Sequence, residues 1–163
     1  MEVAAKHQII RGKPLVNGVA FGPARLVWPG DKQIPEVSVA ASDVNLHITA
    51  LEKAVDETVG ELRELRDSAS KKMGSPVAKI FDAQLLIASD QDFLSKVKSD
   101  IKSRRRNAAF VYSDHVKKTT APLKSSGDTY IRQMAQDIEA VADRIVTHLS
   151  GNNKKKLEFE PNT

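Results

Sequence analysis

The chain has no cysteine. That excludes disulfides, thiolate metal sites and a cysteine nucleophile, and it fits a reducing compartment. Aromatic residues make up only 5% of its 163 residues, against 28% charged, a balance that favours a helical domain over a β-sandwich. No apolar run approaches the roughly 20 residues of a membrane span. The opening M-E-V-A-A-K-H has no hydrophobic signal region. A cytoplasmic protein without membrane contact is expected. The motifs G-x-x-x-x-G-K-[ST], G-x-G-x-x-G, G-x-S-x-G and H-E-x-x-H are all missing, so the common phosphate-binding loops, the nucleophile elbow and the helical zinc pair have no support. No repeat occurs at solenoid periods.

The excess of one sign of charge over the other is also small. The net charge is +4, too weak to argue for a nucleic-acid partner. The basic cluster Arg104, Arg105 and Arg106, with Lys98, Lys102, Lys117 and Lys118, has only Phe110 and Tyr112 nearby as aromatics, and both fit a helix core. No nucleic-acid binding is expected. His7, His47, His115 and His148 lie apart from one another and read as ordinary surface or boundary histidines.

What the chain does have is helical periodicity. The most apolar stretch is Val77 to Phe93, V-A-K-I-F-D-A-Q-L-L-I-A-S-D-Q-D-F. Val77, Ile80, Phe81, Leu85 and Ala88 share one helical face. Leu86 and Ile87 put apolar surface on other faces, so this helix is either buried deep or offers a patch to a partner. Asp90 reads as a new N-cap, with Phe93, Val97 and Ile101 as the following stripe. Asp82, Asp90 and Asp92 are caps and solvated charges, or the acidic rim of a docking patch.

Upstream, residues 8–28 read as two short strands with turns at Gly22-Pro23 and Pro29-Gly30. Ser42 is an expected N-cap. Val44, Ile48, Leu51, Val55, Val59, Leu62 and Leu65 or Ala69 then form the clearest amphipathic stripe. Gly60 marks a weak point or bend in it. Gly74-Ser75-Pro76 ends that helix, with Pro76 suited to the start of the next. Asn107 caps a helix through Ala108, Val111, Tyr112 and Val116 that is expected to stop before Pro122. Asp128 caps the last one, along Ile131, Met134, Ile138, Val141, Ile145 and Leu149, with Gly151 as its stop. Residues 157–160 alternate and suggest a short strand. The expected fold is mainly α: an antiparallel bundle of four to five helices with a short β leader. The expected divisions are a leader over 1–30, a linker over 31–41, a helical domain over 42–151 and a tail over 152–163.

Several motifs together resemble one family. The leader I-I-R-G-K-P-L-V-N-G-V-A-F-G-P-A is similar to the opening of enzyme I of the bacterial phosphotransferase system, the phosphoenolpyruvate–protein phosphotransferases. Gly12, Gly18, Val19, Ala20, Gly22 and Ala24 match its G-x-x-x-S-P-G-I-A-x-G-x-A pattern, while Val16-Asn17 replaces Ser-Pro. Ala78 to Gln84 resembles A-x-I-F-E-A-H, Asn107-Ala108-Ala109 resembles N-A-E-x-A, and Asp128 to Ile138 resembles D-x-Y-L-x-E-R-A-x-D-I. Asp143-Arg144-Ile145 and Leu149-x-Gly151 follow D-x-x-x-R-L-L-x-x-L-x-G. The order and spacing run over about residues 9–151.

The resemblance implies a docking domain for HPr, the small phosphocarrier protein, on Ile80, Phe81, Asp82, Gln84, Leu85, Leu86, Ile87, Asp90, Asp92, Phe93, Arg132 and Met134. It implies no phosphate acceptor in this chain, because the family's G-G-x-x-S-H motif is absent. The leader would belong to an incomplete α/β swivelling part. Phosphoenolpyruvate and magnesium would bind a carboxy-terminal barrel, so no cofactor and a monomer are expected of this piece. Catalysis would belong to the longer polypeptide. The sequence departs from the pattern where Gln84 replaces a histidine, where Ser75-Pro76 replace an acidic pair, and where Gln133-Met134-Ala135 replaces E-R-A. Those losses leave a second reading open, a stand-alone helical regulator or scaffold that kept the fold without phosphotransfer.

Overall fold

The computed structural model describes residues 34–151, together with residues 18, 19 and 22. The chain divides into two units, Met1–Lys32 and Gln33–Thr163; the helices belong to the second. The strands expected within 8–28 and at 157–160 lie outside the described residues, those three positions apart.

A short 3-10 turn, Ala41–Asp43, leads into α1 (Val44–Met73), followed by α2 (Ser75–Ala88), α3 (Gln91–Arg104), α4 (Ala108–Lys124) and α5 (Thr129–Leu149). The helix α1 packs against each of the other four. Its buried stripe is Leu51, Ala54, Val55, Thr58, Val59 and Leu62, the spacing of three and four that one helical face imposes. Thr58 fits this stripe because its hydroxyl donates back to the Ala54 carbonyl at 2.8 Å. Into the same core come Leu94, Val97 and Ile101 of α3, Val111, Tyr112 and Val116 of α4, and Val141, Ile145 and Val146 of α5. Leu65, expected as a possible end of the α1 stripe, is exposed.

Local signals set most boundaries. Gly74 alone joins α1 to α2, at φ +87°, a backbone region that side-chain-bearing residues avoid. Asp90 caps α3 by accepting from the Phe93 N–H at 3.0 Å, and Asp128 caps α5 by accepting from the Tyr130 N–H at 2.7 Å. Gly151 has φ +66°, the left-handed stop expected after α5.

Three boundaries differ from expectation. Ser42 is not the cap of α1; it lies in the 3-10 turn, its hydroxyl donating to Asp43 at 2.8 Å. The helix α4 runs through Pro122 to Lys124. The proline sits in the exposed last turn, where it removes a single ladder bond at the solvent edge rather than in the middle of a buried helix. Asn107 precedes α4 but makes no side-chain cap. Its Oδ1 accepts instead from the Val37 N–H at 2.9 Å.

That last bond belongs to a strap. Ser38 and Arg106 form an isolated antiparallel bridge, flanked by Val39 N–H to Arg105 O and Asn107 N–H to Val37 O, both 3.0 Å. Arg106 adds a 2.6 Å ion pair with Glu36. The segment is thereby pinned to the α3–α4 corner, and the Arg106 side chain is engaged within the protein. Arg104 likewise pairs with Asp114 at 2.6 Å and covers the Phe110 ring at 5.6 Å.

Two predictions follow from this packing. Leu51→Ala or Leu62→Ala should cost about 2–5 kcal/mol, since both side chains are fully buried. Gly60→Ala should instead stabilise by up to about 1 kcal/mol, because an added Cβ meets nothing within 4 Å and α1 is continuous there. Denaturant unfolding measures both.

Asp114 supplies a pH prediction. The hydrogen bond from Arg104, aided by Lys118, holds its carboxyl below the usual carboxylate range against the opposing effect of burial. A depressed folded-state value gives stability that is present above the unfolded value and lost as the pH falls through the folded one. Asp114→Asn should therefore be less stable than the parent at neutral pH, with the gap closing in acid. Denaturant midpoints measured across the acid range check this.

Candidate docking face on helix α2

The helix α2 carries most of the candidate residues, and packing on α1 and α5 divides them. At about 100° per residue, Ala78, Phe81, Leu85 and Ala88 form the inward side. Ala78 and Ala88 are buried, and Phe81, Leu85 and Ile87 are partly buried against the core. Gln84 is half-buried at the edge. The side facing away carries Lys79, Ala83 and Leu86, all exposed. Leu86 is 76% exposed and Ile80 is 60% exposed, unusual for side chains of their size.

The acidic candidates have internal duties as well as exposure. Asp82 reaches Arg66 of α1 at 3.8 Å. Asp90 is the α3 cap already described. Asp92 lies in the first turn of α3, where a negative charge complements the helix dipole. Phe93 is partly buried and meets Tyr112 edge-on at 5.7 Å between ring centroids.

The two candidates on α5 also differ. Arg132 is tied to the loop before its helix, donating to Ser126 O at 2.8 Å and to Thr129 Oγ1 at 2.9 Å. Met134 was expected on the α5 core stripe, yet it is 43% exposed; Ala135 takes the buried position beside it. The pairs Arg144–Glu61 and His148–Glu57 run in opposite chain directions, so α5 lies antiparallel to α1. Its first turns, with Met134, therefore point toward the end of α1 from which α2 departs.

Four exposed large apolar side chains among the described residues were not singled out from the sequence: Tyr130, Met73, Leu46 and Val37. Tyr130 is 73% exposed and Met73 is 70% exposed. The signal for Tyr130 was its place one helical turn before Met134, off the buried stripe. His148 was also underestimated. Its side chain is only 5% exposed, and its spacing of three from Ile145, on the buried stripe, was the available clue. Among the described residues, no group of three or more histidine, aspartate or glutamate side chains could hold a metal ion, and no helix is long and apolar enough to cross a membrane.

The fold is thus a helical domain whose second helix keeps large apolar side chains outside the core. Comparison with known proteins supplies its family. The model for the amino-terminal part of PEP-utilising enzymes matches residues 11–134, and the chain belongs to that family. It is 29% identical over 145 residues to a phosphoenolpyruvate-protein phosphotransferase of Enterococcus faecalis, covering 88% of this chain and 25% of that protein. A phosphoenolpyruvate-protein phosphotransferase of Staphylococcus aureus is 27% identical over 144 residues, with the same coverage. The chain spans about a quarter of the length of these relatives. A solution structure of Enzyme I superposes with a TM-score of 0.68 at 27% identity, over 75% of this chain and 49% of that one. The N-terminal domain of a nitrogen Enzyme I gives 0.66 at 21% identity, over 75% and 50%, a likeness of fold alone.

The two sides of α2 should respond differently to truncation. Phe81→Ala should destabilise the domain by more than about 1 kcal/mol, whereas Leu86→Ala should stay within about 0.5 kcal/mol. Thermal or denaturant unfolding of the two variants separates them.

Proposed function

We propose that this chain is the docking segment for the phosphocarrier protein HPr within a cytoplasmic phosphoenolpyruvate–protein phosphotransferase. The observation that carries the reading is the exposure of Ile80 and Leu86 on a helix that family membership places in the amino-terminal part of a PEP-utilising enzyme. An apolar centre with acidic neighbours is the usual anatomy of a transient interface. Here Leu86 and Ile80 supply the centre, with Met134 from α5, and Asp82, Asp90 and Asp92 supply the charge. Phe81, Leu85, Ile87 and Phe93 set the position of the face from beneath, and Gln84 and Arg132 border it. In this reading the segment binds and orients HPr. Phosphoenolpyruvate, magnesium and the phosphorylated histidine are handled elsewhere in the longer protein, and the segment itself is a monomer without a nucleic-acid partner.

The direct test is calorimetric titration of HPr from the same organism into the parent chain and into Leu86→Asp with Ile80→Ser. Asp82 is left intact because Arg66 uses it. The parent should bind. The double variant should keep its circular dichroism spectrum and lose about tenfold or more in affinity, about 1.4 kcal/mol. Equal affinity in a folded double variant would remove this face from the proposal.

A further inference from the structure

The outward side of α2 carries charge as well as apolar surface. Lys79 shares one helical face with Ala83 and Leu86, and all three are exposed. Lys71 and Lys72 close the last turn of α1, on the other side of the Gly74 joint, and both are exposed. None of these three lysines has an ion-pair partner among the described residues. The nearby acids are engaged with an arginine: Arg66 holds Asp67 at 2.9 Å and Asp82 at 3.8 Å. At the far end of α2 the sign reverses. Asp90 and Asp92 follow its last residue, Ala88, and both are exposed.

The local structure accounts for only part of this pattern. A helix dipole favours cations in the last turn, where Lys71 and Lys72 stand. Lys79 has no such support. It lies just past the first turn of α2, beside Ile80 and on the face of Leu86. Asp82, three residues on, is placed for a pairing along the helix, yet it turns to Arg66 of α1 instead. A bare cation therefore stands within the apolar face, where it contributes to no contact inside the domain.

We propose that Lys79, flanked by Lys71 and Lys72, is a cationic arm of the α2 face that takes carboxylate side chains of HPr, so that HPr docks with an acidic edge toward the Gly74 joint. The inference rests on the docking of HPr proposed above and adds an orientation to it. The apolar contacts of Leu86 and Ile80 do little to select one rotation of the partner over another. Charges of opposite sign at the two ends of the face do select, because like charges brought together are penalised and register is thereby fixed. Exposed charges add little to affinity one by one. Their main effect is on the rate of association, and salt screens it.

Stopped-flow association of HPr from the same organism with the full chain, at low and at high salt, tests this. Lys79→Glu should slow association about threefold or more at low salt, and the difference should largely vanish at high salt. Its melting temperature should match the parent's, since the side chain has no ion-pair partner among the described residues to lose. Lys71→Gln with Lys72→Gln should act in the same direction. Leu86→Asp with Ile80→Ser, measured alongside, should lower affinity at both salt concentrations. Unchanged or faster association of Lys79→Glu, with affinity lost in the Leu86 and Ile80 variant, would overturn the cationic arm and leave the docking face standing. Unchanged affinity in the Leu86 and Ile80 variant, or no binding by the parent, would overturn the docking face and the orientation with it.

Discussion

Everything in the domain depends on the burial of one side of α1. Leu51, Ala54, Val55, Thr58, Val59 and Leu62 form a stripe that must be covered, and α1 packs against every other helix. An isolated helix of this composition would gain little from propensity alone; tertiary packing of its apolar face supplies most of its stability. Once α1 is covered, the remaining placements are constrained. The single Gly74 joint turns α2 back along it, and the strap at Val37 to Val39 closes the far corner of α3 and α4.

This constraint also explains the composition of α2. The helix carries apolar residues nearly all round, but α1 and α5 cover only part of its surface. Phe81, Leu85 and the buried alanines meet the core, and Leu86 and Ile80 remain outside. A side chain such as Leu86 contributes little to folding where it stands, which is why the proposed docking surface is centred on it. Core packing and exposed apolar surface are thereby divided between different sides of one short helix.

How much of this was legible in the sequence depended on whether the deciding contact was local. Asp90 and Asp128 could be read as caps because their partners lie two or three residues away. The α1 stripe could be read because its periodicity persists over many turns. Asn107 looked like a cap for the same local reason, but its oxygen answers a backbone N–H 70 residues away. Pro122 looked like a stop, though the last exposed turn of a helix has little left to break. His148 looked ordinary because Glu57 and Glu61 become its neighbours only when α5 folds against α1. For the candidate face, the sequence pointed to α2 and named Leu86 and Ile80 together with Phe81 and Leu85. Separating the outward pair from the inward pair needed the packing on α1. The family followed from motif order along the chain rather than from any one residue.

The central claim is that the outward side of α2, joined by the first turns of α5, receives HPr while the inward side stays with the core. Heteronuclear NMR titration of the labelled chain with HPr tests it most directly. The account predicts shift changes concentrated at Ile80, Ala83 and Leu86 and around Met134, with Leu51, Leu62 and Val97 unmoved. Shifts that cluster elsewhere, or none at high HPr concentration with the chain folded, would contradict it.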